Sequence, residues 1–448
     1  MVSAVGMFCM LTMIVAVAYV HTYRVDLSPG ERYTLSDHAR DVLRDLDQPI
    51  RITAFIRTED GRNPVIKDLL WQARNESPEI TYDVVDINKN PSLATRLGVT
   101  AYGAVVVESA SRRRDFTNPS ETQLISAILK VTRPSKLVAV SSGHGECVLD
   151  DVDRRKGCSQ MRSALLQESY RVEELPLPSV GDVPSDVDIL VIAGPKSDFL
   201  ESELRALGRY LDEGGKAMVL LDPYRAPRLS AFLRDYGLLA GENTILDPEN
   251  RLAGGELLSA VITDVNRQHL VVATLKAPPV LSGMRSMTAH DDEKAGRKAI
   301  DLLRSGPRSW ASYDPSVLRA TAAPRFVAGR DRNGPFRVGI EVSQPARVSD
   351  ASARGRRTVI VAYGDSDFAT NRFFDYLGNK DLFLNSINWL ARDELLIGNR
   401  PQARPAGSKV LFISQAQLSG LFRWAVLILP SLYLLAGIAV VVWRRLGP

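Results

Sequence analysis

The sequence predicts an α/β protein: two α/β modules in succession, carried between two apolar segments of membrane length. Three observations predict it. Strand-like and helix-like apolar patterns alternate from Ser36 to Ala391. Two strand patterns, Asp188 to Ala193 and Thr358 to Tyr363, are almost wholly apolar, as strands covered on both faces of a parallel sheet are. Uncharged apolar runs, Val2 to Val20 and Trp424 to Trp443, flank everything else. A spanning helix needs roughly 20 apolar residues. The second run meets that length and the first is marginally short.

The expected organisation follows. Residues 1–21 and 421–445 are transmembrane helices, 22–134 a first module, 135–395 a second, and 396–420 a linker. Two spans place both ends on one side of a membrane and the body on the other. Arg444 and Arg445 follow the second run and favour a cytoplasmic C-terminus, with Arg423 opposing weakly. The body is then extracytoplasmic at a bacterial cytoplasmic (inner) membrane. Ala16-Val17-Ala18 offers a cleavable signal peptide as the alternative. The uncharged n-region and the long apolar stretch favour an uncleaved anchor.

In the first module, Ser36 is placed to cap a helix with Ala39, Val42, Leu43 and Leu46 at helical spacing. Gln48-Pro49 ends it. Ile50 to Ile56 reads as a strand, Val65 to Arg74 as a helix and Ile80 to Ile87 as a strand. A short helix runs from Asn90-Pro91 to Leu97. Ala104 to Glu108 is a third strand, Phe116 joins a fourth, and Thr122 to Thr132 is a helix. Arg112-Arg113-Arg114 reads as a solvated hairpin turn. This order, with the stretch Tyr82 to Val99, resembles a thioredoxin-like domain. There is no C-x-x-C, so the resemblance implies a scaffold without redox chemistry.

In the second module, Lys136 to Val140 is a strand ending in Ser141-Ser142-Gly143-His144-Gly145-Glu146. Ser159 caps a helix through Gln167. Arg171 to Leu175 is a strand, Pro176 to Pro184 a loop, and Asp188 to Ala193 a buried strand. Leu200, Leu204, Leu207 and Leu211 mark a helix that Gly214-Gly215 ends. Lys216 to Leu221 is a strand before Asp222-Pro223-Tyr224-Arg225, and Pro227 to Tyr236 a helix. Residues 250–350 read as a β-rich insertion. Thr358 to Tyr363 ends in Gly364-Asp365-Ser366-Asp367, and Asn379 to Ala391 is a helix. The alternation predicts an open, mostly parallel sheet.

Ligands bind outside the carboxyl ends of strands in such sheets. The candidate ligand-binding cleft is therefore Ser142, His144, Glu146, Asp222, Tyr224, Arg225, Asp365 and Asp367. Short acids at these places also serve as caps. Cys147 and Cys158 bracket a polar loop and are candidates for a disulfide. A net charge of +4 over 448 residues, without a basic stripe, excludes a nucleic-acid partner. No P-loop and no G-x-S-x-G occur, and no cofactor or metal motif is seen. No catalytic residue is assigned. His144-Gly145-Glu146 is similar to the H-x-E pair of class I glutamine amidotransferases. The turn where that family carries its cysteine is here Leu221-Asp222-Pro223-Tyr224. An envelope hydrolase or amide-processing enzyme around His144 remains the alternative function.

The opening Arg24-Val25-Asp26-Leu27-Ser28 and Arg32-Tyr33-Thr34-Leu35-Ser36 resembles that of GldG-type proteins. So do Gly143-His144-Gly145-Glu146, Leu221-Asp222-Pro223, Gly364-Asp365-Ser366-Asp367-Phe368 and Asn385-Ser386-Ile387-Asn388-Trp389-Leu390. These proteins are auxiliary components of gliding-associated and related ABC transporters. The resemblance implies a membrane permease and a cytoplasmic ATPase as partners. It also implies an amidotransferase-like sheet without its cysteine, and a non-catalytic role.

Overall fold

A computed structural model describes residues 35–57, 63–99, 101–110, 112–117, 119–132, 134–251, 258–320, 324–347, 355–391 and 422–446, with single residues 10 and 420. Two compact units divide at Arg133 and Pro134. Both are mixed α/β.

The first unit has α1 (Asp37–Arg44), β1 (Ile50–Ile56), α2 (Asn63–Glu76), β2 (Ile80–Asp86), α3 (Pro91–Arg96), β3 (Ala104–Ser109), β4 (Arg112–Thr117) and α4 (Glu121–Thr132). Ser36 caps α1, its hydroxyl accepting the Ala39 N–H at 3.1 Å. The sheet order is β2-β1-β3-β4. β1 is parallel to β2, and β3 is antiparallel to β1 and to β4. Phe55, Val106, Ala94 and Val99 fill one apolar cluster. The three arginines expected in a turn lie instead on β4, paired with Val107, Glu108 and Ser109 of β3. Arginine has a long apolar stem below its charged head, so an edge strand accommodates all three at half burial.

The second unit begins β5 (Leu137–Ser142), α5 (Ser159–Gln167), β6 (Arg171–Pro176), α6 (Leu177–Val180), β7 (Ile189–Ala193), α7 (Glu201–Asp212), β8 (Lys216–Leu220) and α8 (Pro227–Phe232). Ser159 is the first helical residue of α5 rather than its cap, a position taken by Cys158. Short strands follow: β9 (Leu238–Ala240), β10 (Thr244–Leu246), β11 (Ser259–Val261), β12 (Asp264–Val265), then α9 (Leu270–Ala273), β13 (Val280–Ser282) and β14 (Met287–Ala289). Next come β15 (Lys298–Arg304), β16 (Trp310–Ser312), β17 (Arg332–Asn333), β18 (Arg337–Pro345), β19 (Arg357–Tyr363) and α10 (Asn379–Leu390).

The main sheet runs β12-β15-β18-β19-β8-β7-β5-β6. Its five strands β6, β5, β7, β8 and β19 are parallel, in the chain order 2-1-3-4-5. The β-rich insertion is thus not wholly apart: β12, β15 and β18 extend the sheet antiparallel. Alternate residues of each central strand serve opposite faces. Val138, Val191, Met218 and Val361 pack with α5 and α10. Leu137, Leu190, Val219 and Ile360 pack with α7 and α8. Burial on both faces is why these strands read as unbroken apolar runs.

A π-helical stretch (Arg423–Ile428) continues into α11 (Leu429–Leu446). Apolar side chains exposed on it include Trp424, Leu432, Leu434, Leu435 and Ile438. Among the described residues, no helix is long and apolar enough to cross a membrane. The expected N-terminal span and the 396–420 linker lie outside the described residues, save Met10 and Gly420.

Candidate functional site

The order 2-1-3-4-5 reverses direction between β5 and β7, and the carboxyl ends flanking such a reversal form the natural crevice of an open α/β sheet. The turn after β5 carries Ser142, His144 and Glu146. The turn after β7 carries Gly194 and Lys196. Asp222, Tyr224 and Arg225 follow β8, and Asp365 and Asp367 follow β19.

His144 is buried and held from three sides. Its Nε2 lies 3.0 Å from Glu203 Oε2, and its Nδ1 3.5 Å from Glu146 Oε1. Its ring stacks on Phe199 at 4.0 Å between centroids. Glu146 accepts the His144 N–H at 2.7 Å and the Ser141 hydroxyl at 3.0 Å. Glu203 also accepts the Leu200 N–H at 2.6 Å, so one carboxylate both caps α7 and fixes the imidazole. The His144 carbonyl accepts the Lys196 and Ser197 N–H groups. Gly143 and Gly145 take positive φ, and a Cβ on Gly143 would stand 2.6 Å from Pro178. That position therefore admits glycine alone. These contacts join two strand ends and a helix start. They bury His144 and Glu146 within the turn.

The acids after β8 and β19 form a second cluster. Asp222 accepts the Ser366 N–H at 2.8 Å and the Ser366 hydroxyl at 2.9 Å. Asp365 is fully buried and accepts the N–H groups of Ser282 and Asp367, each at 3.0 Å. Burial, then the charges of Asp367 and Asp222, raise its carboxyl well above the ordinary range. Burial and Asp222 push Asp367 up to about 7, against the opposing pull of Lys196 and Arg155. Asp367 is half-buried.

Tyr224 has φ +59° and donates its hydroxyl to the Ser312 carbonyl at 3.2 Å, and burial raises its phenol. Arg225 is exposed. The buried Arg285 braces this turn from beneath, donating to the carbonyls of Gly241 at 2.8 Å and Asp222 at 3.1 Å. Burial lowers its guanidinium to about 10. Ser142 is half-buried at the end of β5.

Cys147 and Cys158 are joined, with Cα atoms 5.7 Å apart. Asn371 clamps the loop they close. Its side-chain amide donates to the Asp151 and Asp153 carbonyls at 2.9 and 3.0 Å.

Sequence reasoning missed Lys196, Phe199, Glu203 and Arg285. The first three follow the carboxyl end of β7, which the same strand-end rule selects once strand order is known. Glu203 stands three residues after Leu200, a position whose acid is usually signalled by Ser or Thr at the cap, absent here. Arg285 had no local signal. No group of three or more His, Cys, Asp or Glu placed to hold a metal ion is found among the described residues.

Over residues 135–386 the chain matches a family described as ABC-type uncharacterized transport system. Over residues 30–117 it matches a domain of unknown function. No curated protein matches it. Among solved structures it is similar to the mmIFT52 N-terminal domain, at 13% identity over 57% of this chain and 97% of that one, TM-score 0.38. A ThuA-like protein from Bacteroides uniformis is similar at 13% identity, over 57% of this chain and 91% of that one, TM-score 0.31. Thioredoxin O2 from Arabidopsis thaliana is similar at 18% identity, over 22% of this chain and 86% of that one, TM-score 0.17.

Proposed function

This chain belongs to the ABC-type uncharacterized transport system family, matched over more than half its length, and on that premise we propose that it is a non-catalytic auxiliary subunit of an ABC transport complex. It binds or gates a ligand outside the cytoplasm and works beside a membrane permease and a cytoplasmic ATPase. The family match is the observation that carries this reading.

Three features support it. His144 and Glu146 are engaged with Glu203 and Ser141, an arrangement that holds a turn. Cys147 and Cys158 are tied up in a disulfide, so neither offers a thiolate to an amidotransferase-like reaction. The side chains of Trp424, Leu432, Leu434, Leu435 and Ile438 are exposed, as contact with lipid or an apolar partner helix requires. We read the two apolar runs as anchors, with Arg444 and Arg445 on the cytoplasmic side. The β2-β1-β3-β4 unit serves as a thioredoxin-like scaffold without thiol chemistry.

The test is affinity purification of the tagged chain from its native membranes in mild detergent. Stoichiometric recovery of a permease and an ATPase is expected. Their repeated absence, with the chain recovered intact, overturns the proposal.

A further inference from the structure

We propose that the disulfide-closed loop Val148–Gly157 is a preformed contact surface for an acidic segment of a protein partner, made by Arg154, Arg155 and Lys156. This surface does not depend on the transport reading.

The loop is fastened throughout its length. The Cys147–Cys158 bond closes its base, beside the Val148 N–H to Lys156 carbonyl bond at 3.0 Å and the Cys158 N–H to Val148 carbonyl bond at 2.8 Å. Asn371 holds its middle through the Asp151 and Asp153 carbonyls, and its own N–H donates to the Gly157 carbonyl at 2.9 Å. A Cβ on Gly157 would stand 1.9 Å from the Asp151 carbonyl oxygen, so the turn is closely packed.

The acids of the loop are occupied within its neighbourhood. Asp151 accepts the Asp153 N–H at 2.8 Å. Asp153 accepts the N–H groups of Arg155 and Lys156 at 2.8 and 2.9 Å. Asp150 pairs with Arg162. Arg154, Arg155 and Lys156 are exposed, and no ion pair to them is found among the described residues. Arg372 follows Asn371 in the chain, and burial, then the charges of Arg155 and Arg154, lower its guanidinium from the ordinary value. Several cations thus gather on a rigid support. Val152, 81% exposed, adds an apolar contact in the same loop.

The fixed backbone of the loop leaves only side-chain entropy to lose on binding, and it presents the three cations at short range to a carboxylate-bearing partner. A lipid surface fits less well. Asp150, Asp151 and Asp153 cancel the loop's net charge, and attraction to an anionic membrane grows with uncompensated cations. A protein segment can meet the cations one at a time.

The test titrates the full-length protein in detergent against fluorescent hexaglutamate peptide at low salt, and in parallel against phosphatidylglycerol-containing vesicles. Combined Arg154→Gln, Arg155→Gln and Lys156→Gln substitution is expected to weaken peptide binding at least tenfold. Arg209→Gln, beside the amino ends of β7 and β8, is expected to leave it unchanged. Peptide binding that survives the triple substitution overturns the proposal, as does wild-type protein that does not bind the peptide. Vesicle binding without peptide binding overturns it in favour of lipid.

Discussion

Replacing Asp367 by asparagine removes a carboxyl that the fold holds far from its ordinary titration range. Burial and the neighbouring Asp222 charge raise it from 3.8 to about 7. At about 1.4 kcal/mol per pH unit, that displacement corresponds to ~4 kcal/mol. The sign follows from proton counting. Below pH 4 both folded and unfolded chains carry the proton, and the group costs nothing. Between pH 4 and 7 the folded chain keeps a proton that the unfolded chain has released, so stability falls as pH rises. Above pH 7 the whole cost is present. The amide that replaces the carboxyl carries no charge at any pH. The Asp367→Asn variant should therefore match the wild type near pH 4 and exceed it by ~4 kcal/mol at pH 8. Urea unfolding followed by tryptophan fluorescence at pH 4, 5, 6, 7 and 8 measures the difference, with Trp310 and Trp389 reporting on the second unit. Asp222→Asn, by removing the charge that weighs most on Asp367, should move the titrating window to lower pH. A stability difference between Asp367→Asn and wild type that does not change with pH would refute the reasoning.

Three more outcomes are expected. His144→Ala removes the hydrogen bond to the buried Glu203 and the stacking on Phe199, and should cost about 1–3 kcal/mol in urea unfolding; a loss below about 1 kcal/mol counts against the turn-holding role. Gly364→Ala places a Cβ 2.1 Å from the Arg285 carbonyl oxygen, both main-chain neighbours of the carboxylate cluster. It should cost about 3 kcal/mol or prevent folding, and a wild-type melting curve would contradict the close approach. Reduction of Cys147–Cys158, which closes a sequence separation of 11, should destabilise the second unit by about 2–3 kcal/mol. Melting with and without reductant checks this, and the Cys147→Ala, Cys158→Ala double variant should be indifferent to reductant.

Much of the local structure was legible in the sequence. The strand Ile50–Ile56 is found at the bounds its β-branched residues mark, and the buried strands β7 and β19 are where unbroken apolar runs require them. The sequence placed a hairpin turn at Arg112-Arg113-Arg114, whereas the turn lies before Arg112, because charged residues on an edge strand look like turn residues when their partner strand is unknown. The extension of the main sheet by β15 and β18 was missed because β15 is half-buried over much of its length and β18 buries the polar Glu341 and Gln344, so neither shows the fully apolar signature of the centre.

By itself, the sequence determined where the strands and helices of the parallel core lie, which of their faces are apolar, and that polar turns follow β5, β8 and β19. These properties depend on residue type at spacings of two to four positions, where burial and backbone preference act. Only the tertiary structure decided which polar groups meet. His144 finds Glu203 across 59 positions, Asp222 finds Ser366 across 144, and Asp365 finds Ser282 across 83. Such pairings depend on the strand order that brings β5 beside β7 and β8 beside β19. A buried polar group must satisfy its hydrogen bonds with whatever that order places next to it, and nothing in its own neighbourhood of the chain names the partner.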